Sequence, residues 1–104
     1  MITTLKKLFG IGPAVDYKTL MKQGAIIVDV RTPGEFAGGH VKGAINIPVD
    51  QLAKSATQLK NKNQTIITCC ASGMRSASAK SYLKNAGYQS VYNGGSWHSL
   101  NAKI

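Results

Sequence analysis

Short apolar runs alternate along this chain with stretches whose apolar positions recur at helical spacing. "AIIVDV", Ala25–Val30, is continuously apolar up to its aspartate, as strands buried on both faces are. "GAINIP", Gly43–Pro48, predicts a shorter strand stopped by its proline; "TIITC", Thr65–Cys69, a β-branched third; and "SVYN", Ser90–Asn93, a last short one. Helical patterns fill the intervals. Asp16 can cap a helix through "YKTLMKQ" closed by Gly24, and Asp50 is placed as the N-cap of one through "QLAKSATQLK". "SASAKSYLKNAG" reads as a helix stopped by Gly87, and "GGSWHSLNAK" as a turn into a final short helix.

Such alternation predicts an α/β fold: a mainly parallel sheet with helices on both faces. In that architecture ligands sit beyond the carboxyl ends of the strands, where loops feed the next helix. Residues 1–13 read as an N-terminal tail and 14–104 as one domain, with no repeat, low-complexity tract or linker. The 104 residues suffice for one modest core and not for two, and 43% hydrophobic against 16% charged residues is a globular balance.

Charge adds one feature. Thirteen Lys and Arg against four acids give a formal +9. The lysines are scattered from Lys6 to Lys103 with no dense basic run or interleaved aromatic row, which argues against nucleic acid and for small anions or an acidic protein as partners. No stretch reaches the roughly 20 apolar residues of a membrane span. Pro13 and Asp16 interrupt the short apolar run near the start, so a cytoplasmic protein, or a mature chain whose leader has been removed, is expected.

The chemistry gathers in "CCASGMRS", Cys69–Ser76. Two adjacent cysteines cannot staple distant segments, and on a strand they point to opposite faces. Cys69, continuing the buried alternation, is expected to be core. Cys70 stands at the strand end before a glycine-containing turn into a helix, where backbone N–H groups and the positive end of the helix dipole favour a thiolate. Gly73 permits the positive φ that closes a cup, Arg75 adds a fixed cation with a planar fork of donors, and Ser76 is placed to cap the helix. Ala71, Ser72 and Met74 complete a small, uncharged rim. Together these residues describe a nucleophile in an anion cradle.

"CASGMRS" resembles the Cys-x-x-Gly-x-Arg-Ser active-site loop of rhodanese-type sulfurtransferases, on Cys70, Gly73, Arg75 and Ser76. "VDVRTPGEFAGGHVKGAINIP" is similar to the other signature of that family, and "NGGSWHS" to its Gly-Gly-aromatic turn. The resemblance runs from Ile26 to Trp97. It implies a mostly parallel five-stranded sheet and transfer of a sulfane sulfur through a persulfide on Cys70, from a small anionic donor such as thiosulfate to cyanide or a thiol. Ala71, Ser72, Gly73, Met74, Arg75 and Ser76 are expected to form the substrate-binding loop, with no metal and no cofactor, and its small, mostly uncharged rim suits a persulfide-carrying protein as partner as well as small anions. Asp29, Arg31, Glu35 and His40 are expected to tie loops together, Gly94 and Gly95 to make a tight turn, Trp97 to be core or pocket wall, and His98 to stay outside the chemistry.

Two rivals bear on the same loop. A phosphatase or arsenate reductase of rhodanese-like fold would use a Cys and an Arg around an anion cup, but such loops are one residue longer than the four residues separating Cys70 from Arg75. A binding module without activity commonly lacks the cysteine, which this chain keeps.

Overall fold

Four short parallel strands carry the loop after Cys70 and set what lies on either side of it. The computed structural model describes residues 15–54 and 59–104. In chain order these form α1 (Tyr17–Lys22), β1 (Ile26–Asp29), α2 (Pro33–Ala37), β2 (Ile45–Asn46), a 3-10 turn (Val49–Gln51), β3 (Ile66–Cys70), α3 (Met74–Asn85), β4 (Val91–Ser96) and α4 (Trp97–Ala102). The sheet order is β2-β1-β3-β4, parallel throughout. This is the expected α/β architecture, with four strands among the described residues where five were expected.

Strand alternation divides the core. Val28, Ile66 and Cys70 face one way and pack with Ala79 and Leu83 of α3. Ile27, Ile67 and Cys69 face the other way, against Leu100 of α4 and the half-buried Tyr17 and Leu20 of α1. All five residues of β3 are buried, as befits a central strand covered on both faces. Opposite faces for the two cysteines follow from the pleat alone.

Several local expectations change. The strand expected over Gly43–Pro48 shrinks to two residues. No helix is capped by Asp50. That residue lies inside the 3-10 turn, because Pro48 holds an extended backbone, the Val49 N–H donates to the Val30 carbonyl, and the Gln51 N–H closes a tight bond to the Pro48 carbonyl. Residues 55–58 of that expected helix, and the expected tail, lie outside the described residues.

A five-residue helix, α2, stands in the upstream signature, opened by a capping box in which Thr32 and Glu35 satisfy each other's backbone N–H, with Pro33 at the first position. The last strand continues through Gly94 and Gly95 instead of turning there. Gly94 lies so close to β3 that a Cβ would come within 2.9 Å of the Thr68 carbonyl oxygen, and the β3–β4 register shifts between Thr68 and Cys70 beside it. No helix among the described residues is long and apolar enough to cross a membrane.

Candidate active site

β3 delivers Cys70 to the carboxyl edge of the sheet, and the chain then turns through Ala71, Ser72 and Gly73 into α3. Gly73 sits at φ +99°, a left-handed conformation that costs a residue with a side chain about 1–2 kcal/mol. This conformation points the Gly73 N–H at Cys70 Sγ, 2.8 Å away, and the Ser76 N–H lies 3.4 Å from the same sulfur. Both are N–H groups at the start of α3, where helical partners are lacking. The sulfur therefore takes the place of a capping side chain.

That geometry moves the helix start. α3 begins at Met74, so Ser76 is inside its first turn and does not cap it, contrary to expectation. Its hydroxyl is buried instead and donates to Asn93 Oδ1 at 2.6 Å. Having spent its one proton there, Ser76 Oγ must accept from Thr68 Oγ1 at 2.7 Å. Asn93 Oδ1 also accepts from the Gly95 N–H at 2.9 Å. A chain of polar contacts thus ties β3, α3 and β4 together beneath the sulfur cup. Thr68 and Asn93 carry little local signal for this role; an asparagine at a strand end before Gly-Gly is the one the sequence offers.

The cup closes Cys70 off from solvent, with 0% of its surface exposed, whereas Ala71, Ser72 and Met74 are exposed, Met74 at 78%. Arg75 is half-buried and turned toward α2. Its guanidinium grips the Glu35 carboxylate with two parallel bonds, Nη1 to Oε1 at 2.8 Å and Nη2 to Oε2 at 3.0 Å. Glu35 is itself anchored, since Oε1 accepts from the Thr32 N–H at 3.0 Å and the Thr32 hydroxyl at 3.1 Å. The Arg75 fork, with help from Thr32, draws the Glu35 carboxyl down to about 2, and Glu35 in turn pushes the Arg75 pKa up.

Asp29 and Arg31 make a second, buried pair. Arg31 Nε and Nη2 reach Asp29 at 2.9 and 2.7 Å, Nη2 also reaches the Gly39 carbonyl at 2.7 Å, and the guanidinium lies 4.8 Å from the Trp97 ring centre. Asn46 Nδ2 donates to the carbonyls of both Asp29 and Arg31 at 3.0 Å. The pair ties the loop after β1 to β2 and α2, the structural role expected for it. His40 is exposed, stacked on Phe36 and bonded to the Phe36 carbonyl. His98 is exposed and lies against Trp97, which is half-buried in the core layer behind β3.

Cys69 lies across the sheet from the cup, and burial, with a smaller contribution from the Asp29 carboxylate, pushes its thiol up to about 12. Among the described residues, no group of three or more His, Cys, Asp and Glu is arranged to hold a metal ion.

Comparison with known proteins bears on this geometry. The family model described as the rhodanese-like domain matches residues 13–102. The thiosulfate sulfurtransferase PspE of Escherichia coli is 41% identical over 69 residues, covering 65% of this chain and 66% of the relative. The thiosulfate sulfurtransferase GlpE of Stutzerimonas stutzeri is 34% identical over 80 residues, covering 77% and 72%. The chain thus spans about two thirds of the length of these curated relatives. A solved rhodanese with anions from E. coli superposes with a TM-score of 0.69 at 36% identity, over 73% of this chain and 91% of that one.

Proposed function

The chain belongs to the rhodanese-like family, and on that premise we propose that it is a sulfurtransferase that carries a sulfane sulfur as a persulfide on Cys70. The observation that supports this most is the pair of backbone N–H groups, from Gly73 and Ser76, directed at Cys70 Sγ where α3 begins. Donors fixed by the fold stabilise negative charge on sulfur without reorganising during the reaction, and a nucleophile held this way needs no adjacent general base. The enclosed position of the sulfur supports the same reading, because a persulfide lodged there is kept from bulk water.

With thiosulfate as donor, the Cys70 thiolate attacks the outer sulfur. The S–S bond of thiosulfate breaks, sulfite leaves with the electron pair, and a persulfide anion remains on Cys70. Cyanide or a thiolate then attacks the outer sulfur of that persulfide, and the Cys70 thiolate is restored. Ala71, Ser72, Gly73, Met74, Arg75 and Ser76 form the loop that receives the donor. Cys69, held protonated in the core, takes no part.

Intact mass after incubation with thiosulfate tests the proposal. The expected result is a gain of one sulfur atom, removed by cyanide with release of thiocyanate, and absent from Cys70→Ser. Hydrolysis of an aryl phosphate that depends on Cys70 and leaves no persulfide would overturn it in favour of the phosphatase rival.

A further inference from the structure

The only two arginines of the chain are both engaged with acids: Arg31 with Asp29 in the core and Arg75 with Glu35 at the loop. Ala71, Ser72 and Met74 carry no charge, so Arg75 is the one fixed cation that the loop itself contributes. A free Arg75 would make the mouth of the cup a trap for dianions. It is not free, because Glu35 occupies the end of its fork through two bonds of 2.8 and 3.0 Å.

Nor can Glu35 readily swing aside. It is the third residue of α2 and closes the capping box that opens that helix, and the same carboxylate is held by the Thr32 backbone and hydroxyl. Among the charges that act on Arg75, Glu35 comes ahead of Cys70. The two side chains beside the loop therefore sum to no net charge.

Resting on the reading of Cys70 as the sulfur carrier, we propose that Glu35 is a specificity-determining residue: by neutralising Arg75 it turns the loop away from inorganic dianions and toward thiol persulfides as sulfur donors. The charges of the two reactions differ. Thiosulfate brings two negative charges to a thiolate and releases a sulfite dianion, so it needs a compensating cation. A persulfide R–S–SH brings at most one charge at its reacting end. Its inner S–S bond breaks, RS⁻ leaves with the electron pair, and the outer sulfur arrives on Cys70 as Cys70–S–SH with its proton. The two backbone N–H groups on the sulfur serve that exchange unaided.

Second-order rates of sulfur loading test this, measured by intact mass with thiosulfate and with 2-hydroxyethyl persulfide, whose organic group is uncharged. Glu35→Gln keeps an acceptor for the capping box and removes the charge. It is expected to raise the rate with thiosulfate relative to that with the persulfide by about two- to fivefold, the factor that removing one close exposed charge commands. Glu35→Ala, which weakens α2 as well, must move the ratio in the same direction, because a loss of fold slows both donors together. A ratio that stays put or falls in both variants overturns the proposal. Failure of both donors to load the unmodified protein would instead overturn the reading of Cys70.

Discussion

Cys69 and Cys70 are neighbours in sequence, share one strand and are equally buried, yet the fold gives them opposite surroundings. Cys69 faces the layer of Ile67 and Leu100, with the Asp29 carboxylate near enough to oppose its ionisation, and its thiol is pushed up to about 12. Cys70 faces the α3 side, where two unpaired N–H groups of a helix start converge on its sulfur. On the proposed reading of Cys70, the contrast teaches that burial alone does not silence a thiol. What decides is whether the buried surroundings supply dipoles oriented toward the charged form. One step along a pleated strand separates the two outcomes.

The strongest way to break this comparison is to exchange sulfur for oxygen at each position. Cys70→Ser is expected to lose at least about a thousandfold in thiosulfate:cyanide transfer, because the poorly ionised hydroxyl cannot replace the thiolate. Cys69→Ser is expected to retain activity within a few-fold. Steady-state assays on both proteins, with circular dichroism to verify folding, check this; a folded Cys69→Ser protein as inactive as Cys70→Ser would replace the single nucleophile with a dithiol mechanism.

Next in size is the effect of the turn that makes the cup. Gly73→Ala places a Cβ 3.5 Å from the Gly95 Cα, an ordinary contact, so space is not the obstacle. The φ of +99° is. Relaxation toward negative φ would swing the Gly73 N–H off the sulfur, and a displacement of about 1 Å can cost a hundredfold. A loss of about tenfold to a hundredfold in sulfur loading is expected, with a far smaller change in melting temperature than that loss would suggest. Unchanged loading by Gly73→Ala would remove the N–H contact from the mechanism.

How much of this was legible beforehand follows from where each signal resides. The parallel α/β layout and the placing of the thiol loop at a strand end come from local alternation, which "AIIVDV" and "TIITC" display plainly. Helix α2 escaped the periodicity argument because five residues cannot complete two turns, although Thr32-Pro33-Gly34-Glu35 spells its capping box. The start of α3 lies before Ser76, the usual type of capping residue, because the Cys70 thiol, three residues before Gly73, takes the place of a cap. Asn93 and the Arg75–Glu35 pair depend on contacts between residues 17 and 40 positions apart, which no local pattern encodes.

A smaller effect sharpens the comparison on the Cys70 side. Ser76→Ala removes a buried hydroxyl that donates to Asn93 and accepts from Thr68. Thr68 Oγ1 keeps the Ser76 carbonyl within 3.0 Å and Asn93 Oδ1 keeps the Gly95 N–H, so neither is orphaned. Two modest hydrogen bonds are lost, about 1–2 kcal/mol in all. For a domain of this size that lowers the melting temperature by about 5–15 °C, readable by calorimetry. No change in melting temperature would mean that the chain of contacts under the cup is not holding α3 to β4.

The last effect belongs to Cys69 and appears only in base. Its thiol is pushed up to about 12 in the folded protein, from an ordinary value of 9.0. The folded state therefore keeps a proton that the unfolded state releases. A raised value of this kind contributes its full stability below pH 9 and loses it as the pH climbs from 9 toward 12. At pH 10 the loss amounts to about 1–2 kcal/mol. The contribution of Cys69 is isolated by following the difference in unfolding free energy between the unmodified protein and Cys69→Ala. That difference should shrink by about 1–2 kcal/mol between pH 8 and pH 10, measured by urea denaturation. A difference that stays constant over this range would show that Cys69 ionises as readily in the fold as outside it, and the contrast between the two faces of β3 would disappear.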